Sequence, residues 1–284
     1  MGQAVTLFLL IVTIPVAVIV GIMALRGGWR QNFSPAMLST FDLLLTDDQK
    51  HAIEHRMEAQ DDEGATGEDK DPVVVSLPNL LMQIKALPRP SGSLLVGIDG
   101  CGGSGKSTLA RRLAELDAAI SVVHMDDFYK PSGDRDPAST EVGANFDWRR
   151  VRDQVLLPLS RNQPGRYQRY DWETDQLAEW HDVPANSIVL VEGCYSLRRE
   201  LTGFHNLRVW METPRDLRLQ RGLDRDGEES RPLCEQEWMP AEDRYVAEHR
   251  PNRSAELVVD GTGSLADLGR EEIGVIRAPQ GWLA

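Results

Sequence analysis

The chain has 284 residues, 41% of them hydrophobic, which leaves room for one domain of about 200 residues and an appendage. Acidic residues outnumber basic ones, 44 to 31, and the net charge of −13 argues against a nucleic-acid-binding surface. Three widely spaced cysteines, Cys101, Cys194 and Cys234, form neither a metal pattern nor a paired framework and suit a reducing compartment.

Residues 4–25 carry no charge and include Leu7, Phe8, Leu9, Leu10, Ile11, Val12, Ile14, Val16, Val18, Ile19 and Val20. As a helix this run would be roughly 33 Å long, enough to cross a hydrocarbon core even if Pro15 kinks it. A cleaved signal peptide is the rival reading, but Met1-Gly2-Gln3 supplies no basic n-region. Arg26 and Arg30 follow the run and nothing positive precedes it, which puts the rest of the chain in the cytosol. Residues 1–30 are therefore expected to be a single-pass membrane anchor. Residues 31–72 read as a polar acidic linker. A short helix is expected at 38–57, and residues 58–71 form a solvated acidic tether that anionic lipid would repel.

Residues 73–261 alternate strand and helix patterns. A helix is expected at 78–87, with Leu80, Leu81, Ile84 and Leu87 on one face, and a buried strand at 94–99. Next comes Gly100-Cys101-Gly102-Gly103-Ser104-Gly105-Lys106-Ser107, the phosphate-binding P-loop pattern, with Thr108 opening a helix. Its glycines let backbone N–H groups close around a phosphate, Lys106 faces the β/γ oxygens, and the Ser107 hydroxyl can ligate Mg²⁺. Gly100, Gly102, Gly103, Ser104, Gly105, Lys106, Ser107 and Thr108 are thus the expected binding residues for a nucleoside triphosphate. Cys101, inside the loop, is either an oxidation-sensitive thiol or a small filler.

Further strands are expected at 120–124, 187–193, 207–212 and 256–261, with helices at 147–159, 216–226 and 235–249. The order implies an α/β fold: a three-layer P-loop sandwich with a parallel sheet, ligands gathering at the carboxyl ends of the strands. The tail, residues 262–284, carries Leu265, Leu268, Ile273, Val275 and Ile276 and can cover a sheet edge.

Three clusters fall where strands should end. Asp126 and Asp127 follow the second strand, where either can take a proton from an attacking hydroxyl, hold Mg²⁺ through water, or simply cap a turn. Glu192 ends a very apolar strand and fits a metal-side carboxylate. Arg218, Arg221 and Arg225 share one helix face, with Arg231 just beyond, as in a phosphate-covering lid or a surface helix of Arg–Glu pairs. The Asn/Thr-Lys-x-Asp motif of GTPases does not occur, which favours ATP.

The P-loop, Met125-Asp126-Asp127-Phe128-Tyr129, Asn145-Phe146-Asp147-Trp148, Tyr170-Asp171-Trp172, Val189-Leu190-Val191-Glu192-Gly193 and the arginine helix resemble the uridine kinase-like P-loop kinases. That family is related to phosphoribulokinase and bacterial pantothenate kinase, and the likeness covers roughly residues 73–261. It implies ATP and Mg²⁺ as cofactors and transfer to a hydroxyl of a small molecule such as a nucleoside. Asp126 would be the base, Tyr129, Phe146, Asp147 and Tyr170 the acceptor pocket, Ser107 and Glu192 the Mg²⁺ site, and Arg221 and Arg225 the phosphate clamp. Glu173, Thr174 and Asp175 stand where uridine kinases usually carry a base-reading His, and the lid ends Gly227-Glu228-Glu229-Ser230-Arg231 rather than Arg-Gly-Arg. A kinase for pantothenate or a sugar acid, or a tethered ATP-binding regulator, remain the other readings.

Overall fold

The computed structural model describes residues 71–263 and 271–283. The expected anchor, Arg26 and Arg30, the helix at 38–57, nearly all of the tether, Leu265 and Leu268 lie outside the described residues. Among the described residues no helix is long and apolar enough to cross a membrane.

Strand β1 (Val73–Ser76) leads straight into helix α1 (Leu77–Lys85), where the Ser76 side chain accepts a hydrogen bond from Asn79 N–H and Pro78 suits the first turn. Then come β2 (Leu94–Asp99), α2 (Lys106–Leu116) and β3 (Ile120–His124). Helix α3 is one run of Trp148–Arg150, Val151–Leu156 and Leu157–Ser160, and its middle part widens to a π-helix. The widening sits just before Pro158, whose missing N–H cannot close the ordinary bond to Gln154. A hairpin, β4 (Gly165–Asp171) and β5 (Gln176–Val183), forms a separate two-stranded sheet. After it follow β6 (Ile188–Glu192), the short α4 (Arg199–Thr202), β7 (Leu207–Glu212) and α5 (Arg215–Asp226). Helix α6 runs through Arg231–Leu233, a π-segment Cys234–Trp238 and Met239–His249, with Pro240 again just after the wide turns. The short α7 (Pro251–Ser254), β8 (Leu257–Asp260) and β9 (Glu272–Arg277) complete the described elements.

The main sheet has the order β1-β9-β8-β7-β2-β6-β3. Five strands, β3, β6, β2, β7 and β8, are parallel, as expected. The sheet is nevertheless mixed: β9 runs antiparallel to β8, and β1 antiparallel to β9. Residues 272–277, read as tail, are thus a strand within the sheet.

Alternation along β2 explains the layers. Leu94, Val96 and Ile98 pack with Leu80, Ile84, Leu109 and Leu113 of α1 and α2. Leu95 faces the other way, toward Val151, Val155 and Leu159 of α3, Leu197, and Tyr245 of α6. Strand β2 is central, with β6 and β7 on either side, so the loop after it opens where the strand order reverses.

Candidate active site

That loop is shaped by left-handed glycines. Gly103 has φ of +76°, and a Cβ there would strike the Arg218 carbonyl oxygen at 2.6 Å. Gly105, at φ of +97°, caps α2 without any side-chain hydrogen bond, which leaves the first N–H groups of the helix for an anion. The Ser104 hydroxyl is buried without a hydrogen-bond partner. Ser107 and Thr108 lie open on the first turn of α2.

Lys106 Nζ donates to the Cys101 carbonyl at 3.2 Å. Burial opposes its charge, but Cys194, Glu192, Glu242 and Asp126 around it win, and its pKa is raised. Cys101 itself is a buried thiol pushed up to about 12, chiefly by burial, so it fills space rather than reacting.

Ser107 Oγ donates to Glu192 Oε2 at 3.1 Å, and the other carboxylate oxygen meets His124 Nδ1 at 2.5 Å. Two partners thus satisfy an almost fully buried carboxylate, and the hydrogen bond to Glu192 raises the His124 pKa. Among the described residues no group of three or more His, Cys, Asp or Glu is placed to hold a metal alone. A hydroxyl and one carboxylate suit a cation that keeps water and shares phosphate oxygens, which is the habit of Mg²⁺.

The two aspartates after β3 separate clearly. Asp127 accepts the Tyr167 hydroxyl at 2.9 Å and so joins the hairpin. Asp126 is exposed and takes no hydrogen bond from the described residues. Protein crowded around it raises its pKa, with Glu192 adding, while Lys106 and His124 pull the other way.

The expected acceptor residues come together as an aromatic wall. Tyr129 meets Phe146 edge-on at 4.3 Å and lies 4.5 Å from Trp172 and 5.9 Å from Tyr170, ring centre to ring centre. Backbone bonds from Lys130 N–H to Asn145 O and from Asp147 N–H to Phe128 O hold the two strips together. Asp147 caps α3 by accepting Arg150 N–H at 3.3 Å. Where a base-reading His was looked for, Asp175 accepts hydrogen bonds from Ser132 N–H and Oγ and from the Tyr170 hydroxyl, which hold its carboxyl down at about 2. Arg135, which drew no attention in the sequence, donates to that hydroxyl at 3.0 Å and lies 5.1 Å from the Tyr129 ring centre.

The arginine helix α5 divides its side chains. Arg218 is buried and ion-paired with Glu242 at 3.1 Å. Arg221 donates to the carbonyls of Gly103, Gly261 and Thr262, so it braces the loop through its backbone. Arg225 is exposed, pairs with Asp226, and also feels the Asp126 charge. Arg231 is exposed between Glu228 and Glu235.

Sequence reasoning missed three contacts. They are His124 on Glu192, Glu242 on Gly102 N–H at 2.7 Å, and Tyr245 on Asp99 at 2.6 Å. Glu242 and Tyr245, three apart on α6, carry no local sign of partners so distant along the chain.

Fold and loop together define a P-loop α/β protein. Residues 95–231 match the family model described as Phosphoribulokinase / Uridine kinase family. A protein named uridine kinase from Borrelia duttonii (strain Ly) is 29% identical over 139 residues, which cover 46% of this chain and 66% of that protein. One of the same name from Borreliella burgdorferi (strain ZS7) is 31% identical over 140 residues, with the same coverage. The chain therefore spans just under two thirds of these relatives. A solved structure described as a possible uridine kinase from Bacillus stearothermophilus shares the fold. It is 24% identical with a TM-score of 0.51, and the match covers 64% of this chain and 96% of that one.

Proposed function

We propose that this chain is an ATP- and Mg²⁺-dependent kinase that phosphorylates a hydroxyl of a small molecule at the cytosolic face of a membrane. A nucleoside such as uridine is the first acceptor to try. The observation that supports this reading is a convergence. Lys106, the Ser107–Glu192 pair and Asp126 share one electrostatic neighbourhood at the mouth of a glycine loop whose helix N-terminus is uncapped.

The chemistry follows from these groups. Loop and helix N–H groups hold the β- and γ-phosphates, and Lys106 leaves the Cys101 carbonyl for their oxygens. Ser107 and Glu192 would hold Mg²⁺, which would supply charge neutralisation to the phosphates. Asp126 takes the proton of the acceptor hydroxyl as its oxygen bonds to the γ-phosphorus. The bond from that phosphorus to the bridging oxygen breaks, and ADP leaves. A raised pKa makes the Asp126 carboxylate a better proton acceptor than an ordinary one. Arg225, on the open face of α5, meets charge building on the transferred group.

The test incubates the full chain with Mg²⁺-ATP and uridine, cytidine, pantothenate or glycerate, and looks for a phosphorylated product by mass. Lys106→Ala should give none, and Asp126→Asn should lower turnover by about 10²- to 10⁴-fold. Bound ATP without product from any acceptor would instead favour a tethered regulatory module. Arg135 beside Tyr129 and Tyr170 supports a second reading, in which the acceptor bears a carboxylate, as pantothenate and sugar acids do.

A further inference from the structure

The glycine loop has an outer side as well as an inner one. Three of its outward backbone groups find partners on side chains from distant elements. Gly102 N–H donates to Glu242 Oε1 at 2.7 Å, the Gly103 carbonyl accepts Arg221, and the Ser104 carbonyl accepts the Thr213 hydroxyl at 3.2 Å. Glu242 is itself gripped, since Arg218 donates to its other oxygen at 3.1 Å and to the Thr213 carbonyl at 3.1 Å. Both side chains are close to nine-tenths buried.

One peptide unit is held from both ends. The carbonyl of Cys101 accepts Lys106 Nζ, and the N–H of the same Cys101–Gly102 peptide donates to Glu242. Glycines flank the unit at Gly100 and Gly103 and Gly102 lies within it, so apart from the turn bond that Ser104 N–H donates to the Cys101 carbonyl at 3.1 Å, the chain offers little resistance to the peptide turning over. A turned peptide would swing its carbonyl outward and remove the resting place of Lys106. Orienting loop dipoles in advance spares that reorganisation when phosphate arrives.

We propose that Glu242 is a positioning residue for nucleotide binding: its carboxylate fixes the Cys101–Gly102 peptide, and Arg218 fixes the carboxylate. The inference rests on the nucleotide-binding reading above. It concerns affinity for the nucleotide and is independent of which acceptor is used.

Glu242→Ala alone leaves Arg218 buried without its ion-pair partner and can unfold the protein. The decisive pair is therefore Arg218→Met/Glu242→Gln against Arg218→Met/Glu242→Ala, both in the full chain. Neither carries the buried charges, and they differ in whether an oxygen remains to accept Gly102 N–H. Each is titrated with a fluorescent ATP analogue and Mg²⁺, and its thermal midpoint is recorded without nucleotide. The expected result is about tenfold tighter binding for the Gln variant. A purely structural role would separate the midpoints and leave the dissociation constants of the folded variants equal. Equal constants would overturn the proposal while wild-type binding keeps the nucleotide reading intact. Failure of the wild type to bind would overturn both.

Discussion

Asp99 ends the central strand with its carboxyl fully buried. Gly100 N–H, Leu197 N–H and the Tyr245 hydroxyl donate to it, yet burial outweighs all three and lifts its pKa from 3.8 to about 6. On the same side of the sheet, His205 donates Nε2–H to the Ser196 carbonyl and keeps Nδ1 buried without a partner, so burial lowers its pKa from 6.5 to about 4. The two groups pull stability in opposite directions. Between about pH 4 and 6 the folded state holds a proton on Asp99 that the unfolded chain releases, so this contribution is lost as pH rises. From about pH 6.5 down to 4 the unfolded chain protonates His205 and the folded state does not, so that contribution is lost as pH falls. Urea midpoints measured at about pH 4.5 and about pH 6.5 should expose each slope. Asp99→Asn should be relatively weaker at the lower pH, and His205→Gln relatively weaker at the higher. Parallel behaviour of the two variants would contradict the assignment.

At the scale of the element, helix α5 carries a division of labour that spacing alone does not reveal. Arg221 and Arg225 are one helical turn apart, yet backbone carbonyls capture the first and solvent the second. Arg221→Ala is therefore expected to raise the KM for ATP by loosening the loop. Arg225→Ala should lower kcat by about 10²-fold with little change in nucleotide affinity. Steady-state kinetics of the two variants separate these effects, and a reversed pattern would show Arg225 to be the brace. The strands that lead to the site were readable because apolar runs bounded by glycine are local signals. The hairpin β4–β5 was not, since the register shift between Gln168 and Tyr170 breaks the alternation that marks a strand. Strand β1 has only four residues, and it takes its meaning from β9, near the other end of the chain. Lys106, Ser107 and Glu192 could be read from motifs. The supports of the loop could not, because Glu242 and Tyr245 stand 140 and 146 residues from the groups they hold.

At the scale of the whole molecule, the uncharged run at residues 4–25 is expected to anchor the full chain. Carbonate washing of membranes should leave the intact protein in the pellet and release a variant in which residues 4–25 are replaced by a Gly/Ser run. Release of the intact chain would remove the anchor from the proposal. The mixed sheet adds a mechanical consequence. Val73 of β1 pairs with Val275 of β9, and Ser76 with Glu272, so the leading end of β1 and the trailing end of β9 lie side by side. Tension between residue 71 and residue 279 would open this pair like a zipper, one hydrogen bond at a time, rather than shear several together. Pulling that reaches the domain through residue 71 is then relieved at the sheet margin, four strands away from β2 and the loop it carries.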